Sequence, residues 1–396
     1  MVREDRRNDD PPRFLIVGAG LTGAVLARTL AEAGCACDVF EERDYVGGHC
    51  HTARDRETGV LVHRNGPHTL HTDDARVWAF VERFVEIYPY RHLKRARAGG
   101  ELFPLPVNLQ TLNQFFHGAF GPAEAKAKVE AEAAPFRAAL GGREPANFEE
   151  AGLARIGRRL FDAFYRGYTV KQWGIAPANL PAYVFSRVPI RFDYDANYFH
   201  HSRQGQPVGG YTEMVAKILD HAGIRLHLNR PFTPGDAAGY RHVFYSGPLD
   251  RYFAWRAGRL AYRTLRFEDV TATGNFQACA VINCCDESDP YTRVTEHKHF
   301  SPWERPEGTV VSYEYSSDCG RDDTPFYPLR LTGDRAMLDA YVSLARAETG
   351  VSFVGRLGTY RYIDMDVAIR EALDTAAATL AAVGGGPPLP AFLVDP

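Results

Sequence analysis

Two kinds of residue in this chain could do chemistry: glycines spaced to let a phosphate reach the backbone, and scattered Arg, Tyr and His side chains able to hold charge. Gly18, Gly20 and Gly23 come after the apolar run Phe14–Val17 and open the Ala- and Leu-rich stretch Leu21–Ala33. After a strand and before a helix, such glycines permit a tight turn, close backbone approach to a pyrophosphate, and close helix–strand packing. The helix N-terminus then favours the anion. Glu41 ends the next apolar run, Cys37–Phe40, about 18 residues past Gly23, where a carboxylate can accept both hydroxyls of a ribose. The plainer alternative is a glycine-bearing turn with no ligand; strand, helix, second strand and acid together favour a dinucleotide.

The elements that must position these groups change texture along the chain. Ala123–Leu140 is dense in helix formers, and a second helix is predicted to start at Asn147, with Glu150 reaching back as a capping-box partner. Its Leu153, Ile156, Leu160 and Phe164 repeat at helical spacing and should face inward. Val188–Tyr194, Leu260–Phe267, Gln277–Asn283 and Thr309–Tyr315 read as strands of an antiparallel sheet, while Tyr211–Ala222 and Asp366–Val383 read as helices and Ile224–Leu228 and His242–Tyr245 as strands. The fold class expected is α/β: a doubly wound, Rossmann-like dinucleotide domain carrying a helical-bundle insertion and a twisted antiparallel β-sheet domain.

Composition narrows the partners. The chain has 396 residues, 45% hydrophobic and 24% charged, enough for two or three domains. Lys+Arg 46 against Asp+Glu 49 leaves a net charge of -3, which recommends neither nucleic acid nor an anionic membrane. No apolar run approaches the roughly 18 residues of a membrane helix, and Met1–Pro12 is a polar arm without a signal-peptide core. Seven cysteines without Cys-x-x-Cys spacing argue against a disulfide framework and for a reducing, cytoplasmic setting. His49, His51, His63, His68 and His71 match no metal-site spacing, so no metal is expected.

FAD rather than NAD is indicated by Arg43 and Gly47-Gly48 after Glu41, which resemble the extended fingerprint of FAD-containing oxidoreductases, and by Gly355-Arg356-Leu357-Gly358 before the final helix. Further motifs stand in order: Gly66-Pro67-His68-Thr69-Leu70-His71-Thr72, Phe103-Pro104-Leu105-Pro106-Val107-Asn108, Gly167-Tyr168-Thr169-Val170-Lys171-Gln172-Trp173-Gly174, and Arg187 through Phe199. Gly209-Gly210-Tyr211-Thr212, Tyr291 through Lys298, and Gly355 through Asp366 complete the set. Together they closely resemble the bacterial UDP-galactopyranose mutase family over nearly the whole chain. Two departures are His49, where the family usually has Asn, and Leu70, where it usually has an aromatic residue.

The resemblance implies an FAD-binding domain at 13–88, 208–247 and 336–396, a helical domain at 108–178, and a substrate sheet domain at 89–107, 179–207 and 248–335. It implies interconversion of UDP-galactopyranose and UDP-galactofuranose through a covalent sugar adduct at N5 of reduced FAD, supplying galactofuranose for cell-surface glycans. Arg187 and Arg293 would neutralise the departing diphosphate, with Tyr198, Tyr327 and Tyr362 as hydroxyl donors and Asn283 as a further polar contact. Phe164 and Tyr168, four apart on a helix, would wall the uracil; core packing is the competing role, above all for Phe164. Thr169, Trp173 and Asp364 would line the substrate pocket and His68 would lie beside the flavin. Gly18, Gly20, Gly23, Glu41, Arg43, Gly48, Arg356 and Met365 would hold FAD.

A reductant such as NAD(P)H and a homo-oligomer are expected with it, and Arg187 is expected on a mobile loop after Ala178–Phe185 that closes over UDP. Lys171 and Gln172 read as solvated. The alternatives are a UDP-N-acetylgalactopyranose mutase, an FAD amine oxidase, and a non-catalytic nucleotide-sugar binder.

Overall fold

The computed structural model describes residues 11–186, 189–330 and 334–396. Its first layer is a five-stranded parallel sheet in the order Ile224–His227, Ala36–Phe40, Arg13–Val17, His242–Tyr245, Val351–Phe353. These are short, nearly all-apolar runs, the pattern of strands covered on both faces. One face packs Phe14 and Ile16 against helices Leu21–Glu32, Tyr211–Leu219 and Met365–Val383. The other packs Leu15, Val243 and Phe353 against helix Arg335–Ala347 through Leu338 and Tyr341. That is the doubly wound arrangement, with the strand order reversing beside Arg13–Val17.

The second layer is a seven-stranded sheet in the order Tyr327–Pro328, Tyr262–Thr273, Gly308–Asp318, Arg293–Glu296, Val281–Cys284, Lys94–Ala98, Glu101–Leu105. All its neighbours are antiparallel except Val281–Cys284 beside Lys94–Ala98, which run parallel. The sheet is therefore antiparallel, as expected, with one parallel pair inside it. Its register aligns Phe267, Glu314, Arg293, Asn283, Ala96 and Phe103 in one row across the strands. Directly paired residues share a face, so this row puts an acid, a guanidinium and an amide side by side.

Helices Pro122–Ala139 and Phe148–Phe161 form the hairpin of the helical part. Asn147 caps the second helix by accepting the Glu150 N–H at 2.9 Å. The reciprocal half of the expected capping box is absent: the Glu150 carboxylate instead accepts the Ala146 N–H and the Arg143 guanidinium. The helix is also interrupted at Gly157, whose φ of +76° is easy only for glycine and where a Cβ would lie 2.7 Å from the Glu132 backbone. After it comes a wide π turn, Asp162–Arg166, and then helix Gly167–Trp173.

Of the two rings expected to wall a ligand, Tyr168 is only partly buried whereas Phe164 takes the core role that competed with it. Phe164 is 3% exposed, edge-on to Phe103 at 5.1 Å between ring centroids and 5.5 Å from Phe115. It stands on the end of the sheet row and backs the wall that Tyr168, only partly buried, presents.

Three other sequence expectations change. Val188 lies outside the described residues, and Pro189–Tyr194 forms no strand beyond the isolated Val107–Ile190 bridge. In Gln277–Asn283 only the end is extended, as part of Val281–Cys284, because the buried Glu296 carboxylate gathers the N–H groups of Phe276, Gln277 and Ala278 into a loop. Lys171 is not merely solvated: its ammonium donates to the carbonyls of Cys284, Asp286 and Tyr291, tying the helix to the sheet, and Gln172 is buried.

Replacing Phe164 by Ala should cost about 3–5 kcal/mol of folding stability in urea titration, the range for emptying a buried aromatic site. Unchanged stability with weakened UDP binding would instead put the ring in the ligand site.

Candidate active site

A cleft opens at the edge where the parallel sheet reverses its strand order, lined by Gly18, Gly20, Glu41, Arg43, Gly48, His49, His68, Arg356, Asp364 and Met365 among others. The three fingerprint glycines differ in what surrounds them. A Cβ on Gly18 would lie 2.3 Å from the Ser246 hydroxyl, and one on Gly23 would lie 1.9 Å from the Gly18 carbonyl. At Gly20, which caps helix Leu21–Glu32, the nearest atom is the Gly48 Cα at 3.9 Å. Two glycines are thus filled by the protein itself, and the third leaves a cradle at a helix N-terminus for a pyrophosphate to fill.

Glu41 is buried and fixed, accepting the Ala19 N–H at 2.9 Å and the Arg43 N–H at 3.0 Å, with the Arg43 guanidinium 3.3 Å away. Opposite, Arg356 sits on the Gly355–Gly358 turn, donates to the Ile363 carbonyl, and lies 5.0 Å from the Tyr362 ring centroid. Acid, open cradle and guanidinium are the donor set an FAD-type dinucleotide needs, and these residues fit it. His49 stacks on Phe326 at 4.9 Å, and burial with the charges of Arg356 and Arg43 pushes its pKa down to about 3. Leu70 is buried in the core of the parallel-sheet domain.

The second half of the site is the sheet row. Arg293 and Glu314 face each other with Nε to Oε2 at 2.6 Å and side-chain exposures of 12% and 1%. Burial opposes the charge on Arg293, but Glu314 outweighs it and raises the guanidinium pKa. Glu314 also accepts the Thr292 hydroxyl at 2.9 Å. Asn283, next in the row, is buried with its amide oxygen unpartnered among the described residues, an orphan that points to a ligand.

Aromatic residues complete this wall. Trp173, Tyr327 and Tyr362 form a cluster, with Tyr327 5.4 Å from Tyr362 and Trp173 within 6.5 Å of both. Burial pushes the phenols of Tyr168 and Tyr327 up, so both stay protonated donors. Tyr198 is set by its N–H to the His92 carbonyl at 3.0 Å. Thr169 is buried beside Tyr168. Asp364 caps the final helix, and its charge acts on both His68 and His71. Arg187 lies outside the described residues.

The two halves meet at Gly66–His68. A Cβ on Gly66 would lie 3.4 Å from Arg293 and 3.5 Å from Glu314, while His68 lines the dinucleotide cleft. His68 Nδ1 lies 2.8 Å from the Gly66 carbonyl; a carbonyl only accepts, so Nδ1 carries the proton and the neutral ring leaves Nε2 as an acceptor. Burial and the charge of Arg356 lower this histidine to a pKa of about 4.

Sequence reasoning missed Glu314. Glu314 sits in an alternating strand where an acid reads as solvent-facing, and only the pairing of Arg293–Glu296 with Gly308–Asp318 reveals its partner.

A family model described as UDP-galactopyranose mutase matches residues 163–362, and one described as an NAD(P)-binding Rossmann-like domain matches 16–84. A Klebsiella pneumoniae protein named "Probable UDP-galactopyranose mutase" is 48% identical over 96% of this chain and 98% of its own. The chain belongs to the UDP-galactopyranose mutase family. An Escherichia coli relative named dTDP-fucopyranose mutase is 41% identical over 92% of this chain and 97% of its own. Among solved structures, a reduced UDP-galactopyranose mutase superposes with a TM-score of 0.72 at 17% identity, covering 94% of this chain and 96% of that one; a putrescine oxidase does so at 0.58 and 13%, covering 94% and 100%. The latter two likenesses concern the fold. FAD is the cofactor of the cleft in this family member. Among the described residues, no helix is long and apolar enough to cross a membrane.

The different surroundings of Gly20 and Gly23 can be told apart by substitution. Gly20→Val should leave the FAD-free protein within about 1 kcal/mol of the parent while weakening FAD about tenfold or more, as overpacking a contact costs about 1–3 kcal/mol. Gly23→Ala, aimed into a carbonyl, should prevent stable folding. Equal effects in a melt and FAD titration would contradict the assignment.

Stability should also fall with acid. His63, His92, His68 and His297 are held neutral in the fold, with pKa values below the ordinary 6.5 mainly through burial. The unfolded chain binds their protons first, so stability is intact above about pH 6.5. It should drop by on the order of 1 kcal/mol per histidine per pH unit between there and about pH 4. Urea midpoints unchanged between pH 7 and 5 would overturn this.

Proposed function

We propose that this protein interconverts UDP-galactopyranose and UDP-galactofuranose with reduced FAD held in the glycine-lined cleft. The observation that carries the reading is the Gly66–His68 loop, which at Gly66 runs within a methyl group's reach of the Arg293–Glu314 pair and at His68 lines the dinucleotide cleft. One loop thus joins the dinucleotide cleft to a wall that suits an anion. The 48% identity to the Klebsiella relative supports the same substrate.

When bound, reduced FAD supplies a nucleophilic nitrogen, N5, for the anomeric carbon. Breaking the sugar–diphosphate bond leaves negative charge on the diphosphate, and Arg293, kept charged by Glu314, stabilises it in place. Tyr327 and Tyr198 offer hydroxyls to the phosphates and Asn283 an amide, while Arg187 adds a second guanidinium from the segment after Phe185. Tyr168 and Trp173 wall the nucleotide and exclude water from the reacting end. His68, neutral with a bare Nε2, holds a hydrogen-bond acceptor at the flavin side without adding charge. A reductant such as NAD(P)H keeps the cofactor competent.

The Escherichia coli relative favours a second reading, ring contraction of dTDP-fucopyranose. The two sugars differ at C6 and the bases at a methyl group, but both carry the diphosphate that this wall suits.

Dithionite-reduced protein should convert UDP-galactofuranose to UDP-galactopyranose, and oxidised protein should not, as resolved by chromatography. Arg293→Ala should keep the flavin spectrum and lower turnover by roughly two decades or more. Conversion of dTDP-fucopyranose in place of the UDP-sugar would establish the second reading; oxygen consumption with an amine would point to an oxidase.

A further inference from the structure

The sheet row leaves one cation unaccounted for. Lys94 stands two residues before Ala96 on the strand Lys94–Ala98, hence on the face that carries Asn283, Arg293 and Glu314. Its ammonium lies 4.0 Å from the Tyr198 ring centroid. Among the described residues no carboxylate comes within ion-pair distance of it and no acceptor hydrogen-bonds it. Glu314, the acid whose charge reaches it, is already paired with Arg293 and bonded to Thr292.

Charge balance makes this informative. Glu314 cancels most of the charge of Arg293, so that pair presents a positioned donor fork but little net positive field. A partly buried ammonium held by a π face alone lacks a counter-ion. We propose that Lys94 is a substrate-binding residue whose counter-ion is the diphosphate of the nucleotide sugar, and that it supplies the net positive charge the Arg293–Glu314 pair cannot. The proposal rests on the diphosphate-sugar reading of the site, whichever base and sugar it takes.

The same charge balance makes binding depend on pH. Burial and the nearby charge of Arg293 lower the Lys94 pKa to about 7, with Glu314 opposing. The other titratable groups around it do not change charge above that point. His92 on its own segment and His71 from the strand Leu70–Thr72 are lowered and stay neutral, while Arg293 is raised and stays charged. Tyr198 contributes its ring face. A bound diphosphate favours the ammonium, so binding takes up a proton above about pH 7 and affinity should fall with rising pH.

The test uses the full-length FAD-loaded protein without reductant, so that binding is read without turnover. UDP-galactopyranose and, in parallel, dTDP-fucopyranose are titrated by calorimetry from pH 6 to 9; their diphosphates stay fully ionised over this range. The wild type should lose affinity above pH 7, approaching tenfold per pH unit. Lys94→Met should bind about tenfold or more weakly at pH 6.5 with a flat profile. Lys94→Arg should restore the affinity and keep it flat to pH 9. Flavin spectra and melting curves should match across all three.

Wild-type affinity and pH profile retained in Lys94→Met would overturn the proposal. So would a Lys94→Arg protein that is well folded and binds as weakly as Lys94→Met. If only the dTDP-sugar binds, the substrate reading falls while Lys94 is judged on that ligand; if neither binds, both fall.

Discussion

A guanidinium and a carboxylate held together inside the sheet, Arg293 and Glu314, are the constraint on which the rest of the site depends. Removing two charges from water is costly, and the cost is recovered only where geometry is good and remaining lone pairs are satisfied. Here the pair is opposed in register, the Thr292 hydroxyl occupies the second carboxylate oxygen, and Gly66 lets another loop close over both groups. A Cβ at position 66 would just reach contact with both groups, and the φ of +89° there favours glycine. The same close approach sets how far the dinucleotide cleft stands from the pair.

The two halves of the site use different physics. The cofactor half works through backbone: an open glycine at a helix N-terminus, a buried Glu41 ordering two amides, and Gly48 packed on Gly20. The substrate half works through side chains on a rigid sheet, backed by the Phe103–Phe164 contact and tied to the helical part by Lys171. His49, stacked on Phe326, and Leu70, packed in the parallel-sheet core, are each accommodated by side-chain packing.

This division also governs how much of the molecule is legible in its sequence. The Gly18–Gly23 turn, the strand before it, the helix after it and Glu41 are local signals, and they stand where the spacing puts them. The sheet row is assembled from strands far apart in the chain, so Arg293 is legible only through family resemblance, and its partner Glu314 not at all. Lys94 belongs to a run, Lys94-Arg95-Ala96-Arg97, that reads as a solvated edge; only its parallel pairing with Val281–Cys284 turns it toward the site. Helical spacing puts Phe164 on the inward face, where it lies, but does not distinguish a ring packed in the core from one that meets a ligand. Gln277 and Ala278 read as strand because their composition does not reveal that a buried acid collects their amides.

The parallel pairing of Lys94–Ala98 with Val281–Cys284 bears on how the protein is made. Vectorial synthesis delivers the first strand long before its neighbour, and the parallel sheet likewise waits for Val351–Phe353 before its last edge is filled. Neither half of the site can be finished in a nascent chain: Lys94–Ala98 can pair at once with Glu101–Leu105, but its other edge waits for Val281–Cys284. Charged side chains along such an open edge discourage pairing with another chain. The Lys and Arg side chains of that segment therefore bear on the unfinished chain as well as on the folded one.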